Sequence, residues 1–367
     1  MSGSNREVPM QEKMIDILVP YSGRGGVEHV INRVALDLNR HGYHVRVVQL
    51  VWEHDSWLDP SIDFRPLTDH KVEHISQFYD IYATFLKEST CPDLILATPW
   101  PYLSYIARKV IRTVGCEENC KIIGWLHGPV ATYEKYDVGG IPHLSQADRV
   151  FTLTKSEGAK IAEILGEEKV RVVYNPVDLE KCCKPAGKRR KEISHNLLYV
   201  GRLSEEKRVD VILKALDQVS QEWHLTVIGD GDQRGELEEQ ARELSLAEQV
   251  TFCGWQQEPW LYLQNQRMDI DFLILASDYE GFALVTVEAM ASGIPVISTP
   301  VGGMIELIKP GITGYLFEKN RPDQLALILN AVEKGALPIP EEAALREAIA
   351  CFREDVALDD FREKLLF

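Results

Sequence analysis

Short β-branched or apolar runs alternate with helix-period segments along the whole chain, and they do so in two separate series. A parallel sheet covered by helices on both faces needs that pattern, because each connection between parallel strands must cross a face of the sheet. The first series comprises residues 14–20, 45–51, 94–98, 121–127, 149–154 and 171–174, with helices expected over 27–40 and 102–113. The second comprises 196–200, 224–229, 250–254, 271–276, 295–298 and 314–317. Between them, residues 178–195 carry Lys184, Pro185, Gly187 and the basic run Lys188-Arg189-Arg190-Lys191, which reads as a linker. The expected fold class is α/β: two doubly wound, Rossmann-like domains over 1–180 and 181–340, facing one another across a hinge. A helix-rich tail, 341–367, follows the breaker Pro338-Ile339-Pro340 and suits either a terminal surface helix or one packed back on the first domain.

Charge and hydropathy exclude two classes of function. Forty Lys and Arg stand against 56 Asp and Glu, a net charge of −16, so the chain repels a phosphate backbone at long range and nucleic acid is not an expected partner. No run approaches the roughly eighteen apolar residues of a membrane span, and the start, residues 1–13, is polar, which points to the cytoplasm. The seven cysteines (Cys91, Cys116, Cys120, Cys182, Cys183, Cys253 and Cys351) are odd in number and lack CxxC spacing, so reduced thiols are expected. Cys116 and Cys120 have no second pair to complete a zinc site.

Three segments carry candidate chemistry. The first βα turn, Tyr21-Ser22-Gly23-Arg24-Gly25-Gly26, lets backbone N–H groups approach a phosphate or sugar at a helix N-terminus, although its spacing is not the GxGxxG of dinucleotide binding. Arg202 and Lys207 in VGRLSEEKR emerge at the carboxyl end of a strand and suit a diphosphate; alternatively they pair with Glu205 and Glu206 on a solvated loop. In the third segment, 276–296, a buried strand ends near Ser277, Glu280 precedes a helix that begins around Ala283, and Glu288 lies on that helix. Gly281 permits a close backbone approach there, and the amides of Phe282, Ala283 and Leu284 are free donors for an anion. Two Asp pairs, Asp230-Gly231-Asp232 and Asp269-Ile270-Asp271, invite a metal reading; the second fixes a strand entrance more naturally.

Glu280-x7-Glu288 in the frame EGFALVTVEAMASGIPVI, preceded by VGRLSEEKR and IGDGD, resembles family 4 of the retaining glycosyltransferases, which have the GT-B fold. The likeness spans nearly the whole chain, and the second half, with GWQQEPW and IKPGITGYLF, looks especially like the bacterial lipopolysaccharide 1,6-galactosyltransferase branch. It implies that Arg202 and Lys207 hold a donor diphosphate, Glu280 contacts the donor sugar, and Glu288 binds the ribose. It further implies that Gly281, Phe282, Ala283 and Leu284 present backbone to phosphate or sugar, Gly25 and Gly26 lie under the diphosphate, and Gly254, Trp255 and Gln256 meet the nucleobase. His127, in Trp125-Leu126-His127-Gly128, matches the family's active-site histidine, though a strand-end His on its own reads first as structural. Ala283 stands where the family often has Pro, with some loss of preorganisation in the first helical turn.

The expected activity is transfer of a hexose from a UDP-sugar to a hydroxyl of a glycan or lipid-linked glycan, with retention and with no metal or other cofactor. Peripheral contact with the inner face of the membrane, through the run 188–191, is left open. Trp52, Trp57, Trp100, Tyr102 and Tyr133 are first-domain aromatics able to stack on an acceptor sugar. The rival readings are a sugar-nucleotide 2-epimerase of the same architecture and a nonenzymatic nucleotide-sugar-binding subunit; a dehydrogenase is weakest, for want of the glycine fingerprint.

Overall fold

The computed structural model of the chain describes residues 13–21, 25–52, 57–70, 72–182, 193–220 and 222–367. The linker run 188–191, Gly23 in the first turn and Cys183 lie outside them. The chain divides into two compact units: residues 1–152, 156–173 and 362–367 form the first, and residues 153–155 and 174–361 the second.

The first unit is built on a seven-stranded parallel sheet. Its strands are β1 (Met14–Val19), β2 (His44–Val51), β3 (Asp63–Thr68), β4 (Leu94–Ala97), β5 (Lys121–Trp125), β6 (Arg149–Thr152) and β7 (Val170–Val172), in the order β3-β2-β1-β4-β5-β6-β7. Central strands such as β4 are buried at every position, as parallel strands covered on both faces must be. The sequence pattern misses β3, an edge strand with the sequence DFRPLT: exposed Arg65 and the donor-less Pro66 suit an edge but give no apolar run.

Inside this sheet lies a buried charge that periodicity does not reveal. Asp16 on β1 is directly in register with Arg46 on β2, and the guanidinium forks onto both carboxylate oxygens at 2.7 and 3.0 Å. Tyr82 Oη donates to the same carboxylate at 2.9 Å, and Arg46 Nη2 also donates to the Thr90 carbonyl at 3.0 Å. Burial raises the Asp16 pKa against the opposing pull of Arg46 and Tyr82.

The cysteine expectation needs correcting. Cys91 and Cys116 are joined by a disulfide, with their Cα atoms 6.4 Å apart. The helix Pro101–Val114 follows β4 and returns along the sheet, so its far end comes back beside the segment leading into that strand. A crossover thus brings together residues 25 apart in sequence, which local spacing cannot show. Cys120, Cys253 and Cys351 form no disulfide among the described residues.

The last turn of the chain is fastened to the first unit. Arg149 Nη1 donates to the carbonyls of Lys364 and Leu366 at 2.5 and 2.6 Å, and its guanidinium sits 4.3 Å over the Phe367 ring. Lys364 Nζ donates to the Val172 carbonyl at 2.7 Å, and Arg362 pairs with Asp37. The tail is two helices, Glu342–Ala348 and Glu354–Leu365.

The second unit carries a six-stranded parallel sheet in the order β10-β9-β8-β11-β12-β13. These strands are β8 (Asn196–Val200), β9 (His224–Ile228), β10 (Val250–Gly254), β11 (Phe272–Leu275), β12 (Val296–Ser298) and β13 (Gly314–Leu316). β8 and β11 are neighbours from which the chain winds off in opposite directions, the switch point at which open α/β sheets bind ligands. Asp271 secures the entrance of β11: its carboxylate accepts from the Ser194 and Asn196 amides and from Ser194 Oγ.

At the carboxyl ends of β8, β9 and β10 the backbones run close enough to exclude side chains. Gly229, at φ +144°, donates its N–H to the Gly254 carbonyl at 2.9 Å, and a Cβ there would overlap the Gly201 carbonyl. Leu203 N donates to the Asp230 carbonyl at 2.8 Å, so the loop that bears Arg202 is held by the loop after β9. Gly229→Ala should lower the free energy of unfolding by at least roughly 2 kcal/mol, since it combines a disfavoured φ with backbone overlap; urea titration measures this, and an unchanged midpoint would contradict the packing.

Candidate functional site

Arg202 follows β8 directly, its backbone carbonyl fixed by the buried Tyr199 hydroxyl at 2.8 Å. Its side chain is exposed and makes no hydrogen bond or ion pair among the described residues. The alternative in which Glu205 and Glu206 neutralise this loop's cations is not what forms. Glu206 instead accepts from Ser204 Oγ at 2.6 Å. Burial works to raise its pKa, and the Ser204 hydroxyl with the Lys207 and Arg202 charges outweighs burial, so the carboxyl sits below its usual range.

Lys207 turns across the switch point to the loop after β11. Its Nζ lies 2.7 Å from Glu280 Oε1, and the side chains are 24% and 11% exposed, so the pair is only partly screened by water. Ser277 Oγ donates to the same oxygen at 2.7 Å. One of the three ammonium protons is thereby committed, which leaves donors for an anion lying between the two loops.

Beyond Glu280 the chain enters the helix Leu284–Ala291, with Ala283 as an extended N-cap. The N–H groups of Phe282, Ala283, Leu284 and Val285 donate to no acceptor among the described residues. They form the positive end of a helix that follows Glu280, the partner of Lys207. Glu288 lies one turn further on, and its Oε2 accepts from Trp260 Nε1 at 2.8 Å. At the end of β10, Gly254 takes φ +70°; beyond it Trp255 is 68% exposed, and Gln256 Nε2 donates to the Cys253 carbonyl at 3.1 Å.

One contributor escapes the sequence reading. The loop after β12 presses Gly302 and Gly303 against the Glu280–Phe282 backbone, with Gly303 N donating to the Gly281 carbonyl at 3.2 Å. A Cβ on Gly302 would overlap the Glu280 and Gly281 carbonyls, and one on Gly303 the Phe282 ring. Adjacent glycines just past a buried strand were the available signal.

The Asp230-Gly231-Asp232 string does not gather further ligands. Asp230 is tied to Arg234 at 2.9 Å and to the Gly231 amide at 2.9 Å, which hold its carboxyl below the usual range. Among the described residues no three His, Cys, Asp or Glu side chains converge as a metal site.

In the first unit, the helix Gly26–Arg40 starts at the glycine turn, and the Gly25 amide is already taken by Glu28 Oε2 at 3.1 Å. His127 follows β5 and is 9% exposed, with its ring 4.6 Å from that of Trp125. Its Nε2 has no partner among the described residues, and its backbone N–H donates to Tyr133 Oη at 3.1 Å. Burial pushes the imidazole pKa down to about 3, so the ring is neutral at physiological pH. Tyr133 is thus committed to the His127 backbone, and Trp100 packs against Tyr21 and Phe78.

Two family models match the chain: "Glycosyltransferase Family 4" over residues 24–181 and "Glycosyl transferases group 1" over residues 185–349. The lipopolysaccharide 1,6-galactosyltransferase of Salmonella typhimurium is 29% identical, with 86% of this chain and 88% of that protein aligned. Its Escherichia coli counterpart is 32% identical over 48% of this chain and 50% of that protein. Among solved structures, the lipopolysaccharide outer core galactosyltransferase WaaB superposes with a TM-score of 0.81 at 25% identity, covering 96% of this chain and 99% of that one. Anabaena HepE, crystallised with UDP and glucose, superposes with a TM-score of 0.74 at 20% identity over the same shares of the two chains.

His127 gives a pH test. Above pH about 6.5 the imidazole is neutral in both folded and unfolded chains and contributes nothing to pH dependence. As pH falls towards about 3, the unfolded chain binds a proton that the folded chain refuses, so stability drops by up to about 1.4 kcal/mol per pH unit. His127→Gln should flatten that acid-side decline in urea titrations at about pH 5 and 7; equal slopes for both proteins would show that His127 protonates freely when folded.

Proposed function

The chain belongs to the glycosyltransferases, its two family domains together spanning residues 24–181 and 185–349, and from that premise we propose that it moves a hexosyl group from a UDP-sugar to a hydroxyl of a lipopolysaccharide-type glycan, retaining configuration and using no metal ion. The observation that carries this is the placing of Arg202, Lys207, Glu280 and four helix-terminal amides, which find no acceptor among the described residues, on the loops of one switch point. The names of the Salmonella typhimurium and Escherichia coli relatives support the acceptor class, and the UDP and glucose bound to HepE support the donor class.

The costly event in such a transfer is departure of the diphosphate with its extra negative charge. The Arg202 guanidinium can fork two phosphate oxygens, Lys207 adds a mobile charge, and the amides of Phe282 to Val285 need no reorganisation to receive an anion. Those donors do what a divalent cation does elsewhere, which is why the proposal includes none. Glu288, one turn into the helix, is spaced for the ribose, and exposed Trp255 offers a face to the base.

Glu280 holds Lys207 and Ser277 on one oxygen, an arrangement suited to binding sugar hydroxyls. In the proposed step the acceptor oxygen attacks the anomeric carbon from the side the diphosphate leaves, and the C–O bond to the phosphate breaks as the new one forms. The acceptor proton passes to the departing phosphate oxygen, and attack on the face the diphosphate leaves retains configuration. The enzyme would work in the cytoplasm on a lipid-linked glycan at the inner face of the membrane; no helix among the described residues is long and apolar enough to cross one.

Arg202→Ala and Lys207→Ala should each lower kcat by roughly a hundredfold or more while the protein stays folded, because both act on charge that develops in the transition state. Undiminished turnover in both variants would defeat the mechanism. UDP release across a panel of nucleotide sugars, with and without glycan acceptors, should require an acceptor and should survive chelation by EDTA. Conversion of the donor without acceptor would indicate an epimerase, and rescue of a chelated enzyme by Mn²⁺ would overturn metal independence.

A further inference from the structure

Ser277 sits at the end of β11 with no exposed surface, and its hydroxyl donates to Glu280 Oε1 at 2.7 Å. Lys207 Nζ arrives at the same oxygen from the loop after β8, also at 2.7 Å. Both donors therefore converge on Oε1, and Oε2 takes none among the described residues. A carboxylate gripped in this way can neither flip nor swing, so its second oxygen faces one fixed direction. Behind Ser277, Thr299 Oγ1 donates to the Ser277 carbonyl at 2.6 Å, and both residues are fully buried.

We propose that Ser277, braced by Thr299, is a positioning residue that holds the Glu280 carboxylate so that Oε2 meets the hydroxyls of the donor sugar, and that it thereby sets which epimeric hexose is accepted. This deepens the transferase reading and rests on it, since it needs Glu280 to face the donor sugar. Lys207 cannot do the task alone. Its ammonium is a mobile charge shared with the diphosphate, and it shifts as that anion arrives and leaves. The Ser277 hydroxyl is neutral and buried, with no net charge for the diphosphate to draw away, so it keeps its hold throughout the cycle. Discrimination follows because an epimer with its hydroxyl turned away leaves a fixed, half-buried carboxylate oxygen unpaired, whereas a loose carboxylate adapts to either epimer.

The test compares wild type, Ser277→Ala and Ser277→Thr in steady-state kinetics with UDP-glucose and UDP-galactose, alongside calorimetric binding of UDP itself. UDP has no hexose, so Ser277→Ala should bind it within about twofold of wild type while kcat with the preferred donor falls roughly tenfold or more. The preference between the two donors should shrink by a similar factor, and Ser277→Thr, which keeps a hydroxyl, should restore both. A Ser277→Ala enzyme with wild-type kcat and donor preference would overturn the proposal, as would UDP affinity falling in step with kcat, the mark of a merely structural role. Absence of UDP release from either donor by wild type would sink the transferase reading, and the positioning role with it; an active wild type with an unaltered alanine variant would sink the positioning role alone.

Discussion

The second unit depends on one constraint at the carboxyl ends of β8 and β11: loops from strands that wind off in opposite directions must share a single crevice. The Lys207–Glu280 pair spans that crevice and links the two loops directly. A partly buried ion pair contributes little net stability once desolvation is counted, commonly about 0–1 kcal/mol when it is exposed. Its value here is local charge. It keeps an ammonium at the loop that leads into helix amides with no acceptor among the described residues, and the acid beside it tempers that charge without quenching it.

Electrostatics at two ranges point in opposite directions. With a net charge of −16 the protein repels a sugar nucleotide from afar, yet that repulsion is screened beyond roughly 8 Å at physiological ionic strength. Close in, Arg202, Lys207 and the amides of Phe282 to Val285 govern. Selectivity for anions is therefore built from short-range geometry, which the close backbone packing makes possible. Gly229 lets the loop after β9 hold the Arg202 loop, and Gly302 with Gly303 lets the loop after β12 lie against Glu280.

Much of this was legible from residue order. Apolar runs marked nearly every central strand, since parallel strands are buried on both faces and must be apolar throughout. The positions 202, 207, 280 and 288 stood out through the resemblance carried by the E-x7-E frame with GRL-x-x-x-K, since on charge alone Arg202 and Lys207 also suit a solvated loop and Glu280 a helix cap. Where reading failed, partners distant in sequence were responsible. Edge strand β3 lacks an apolar signature, and Cys91 meets Cys116 only because a crossover helix returns along the sheet. The buried Asp16–Arg46 fork arises from register between two strands, which no local window contains.

Sequence alone determined the α/β class, the two series of strands and the residue types at each strand end, because hydrophobic period and strand-end chemistry are local properties of the chain. Only the tertiary structure decided how those ends are wired: that Lys207 pairs with Glu280, that Ser277 shares the same oxygen, and that Arg202 finds no partner among the described residues. Hydrogen bonds a few ångströms long depend on the placement of adjacent loops, and that placement follows from sheet order and close backbone contact, neither of which is written in any single segment.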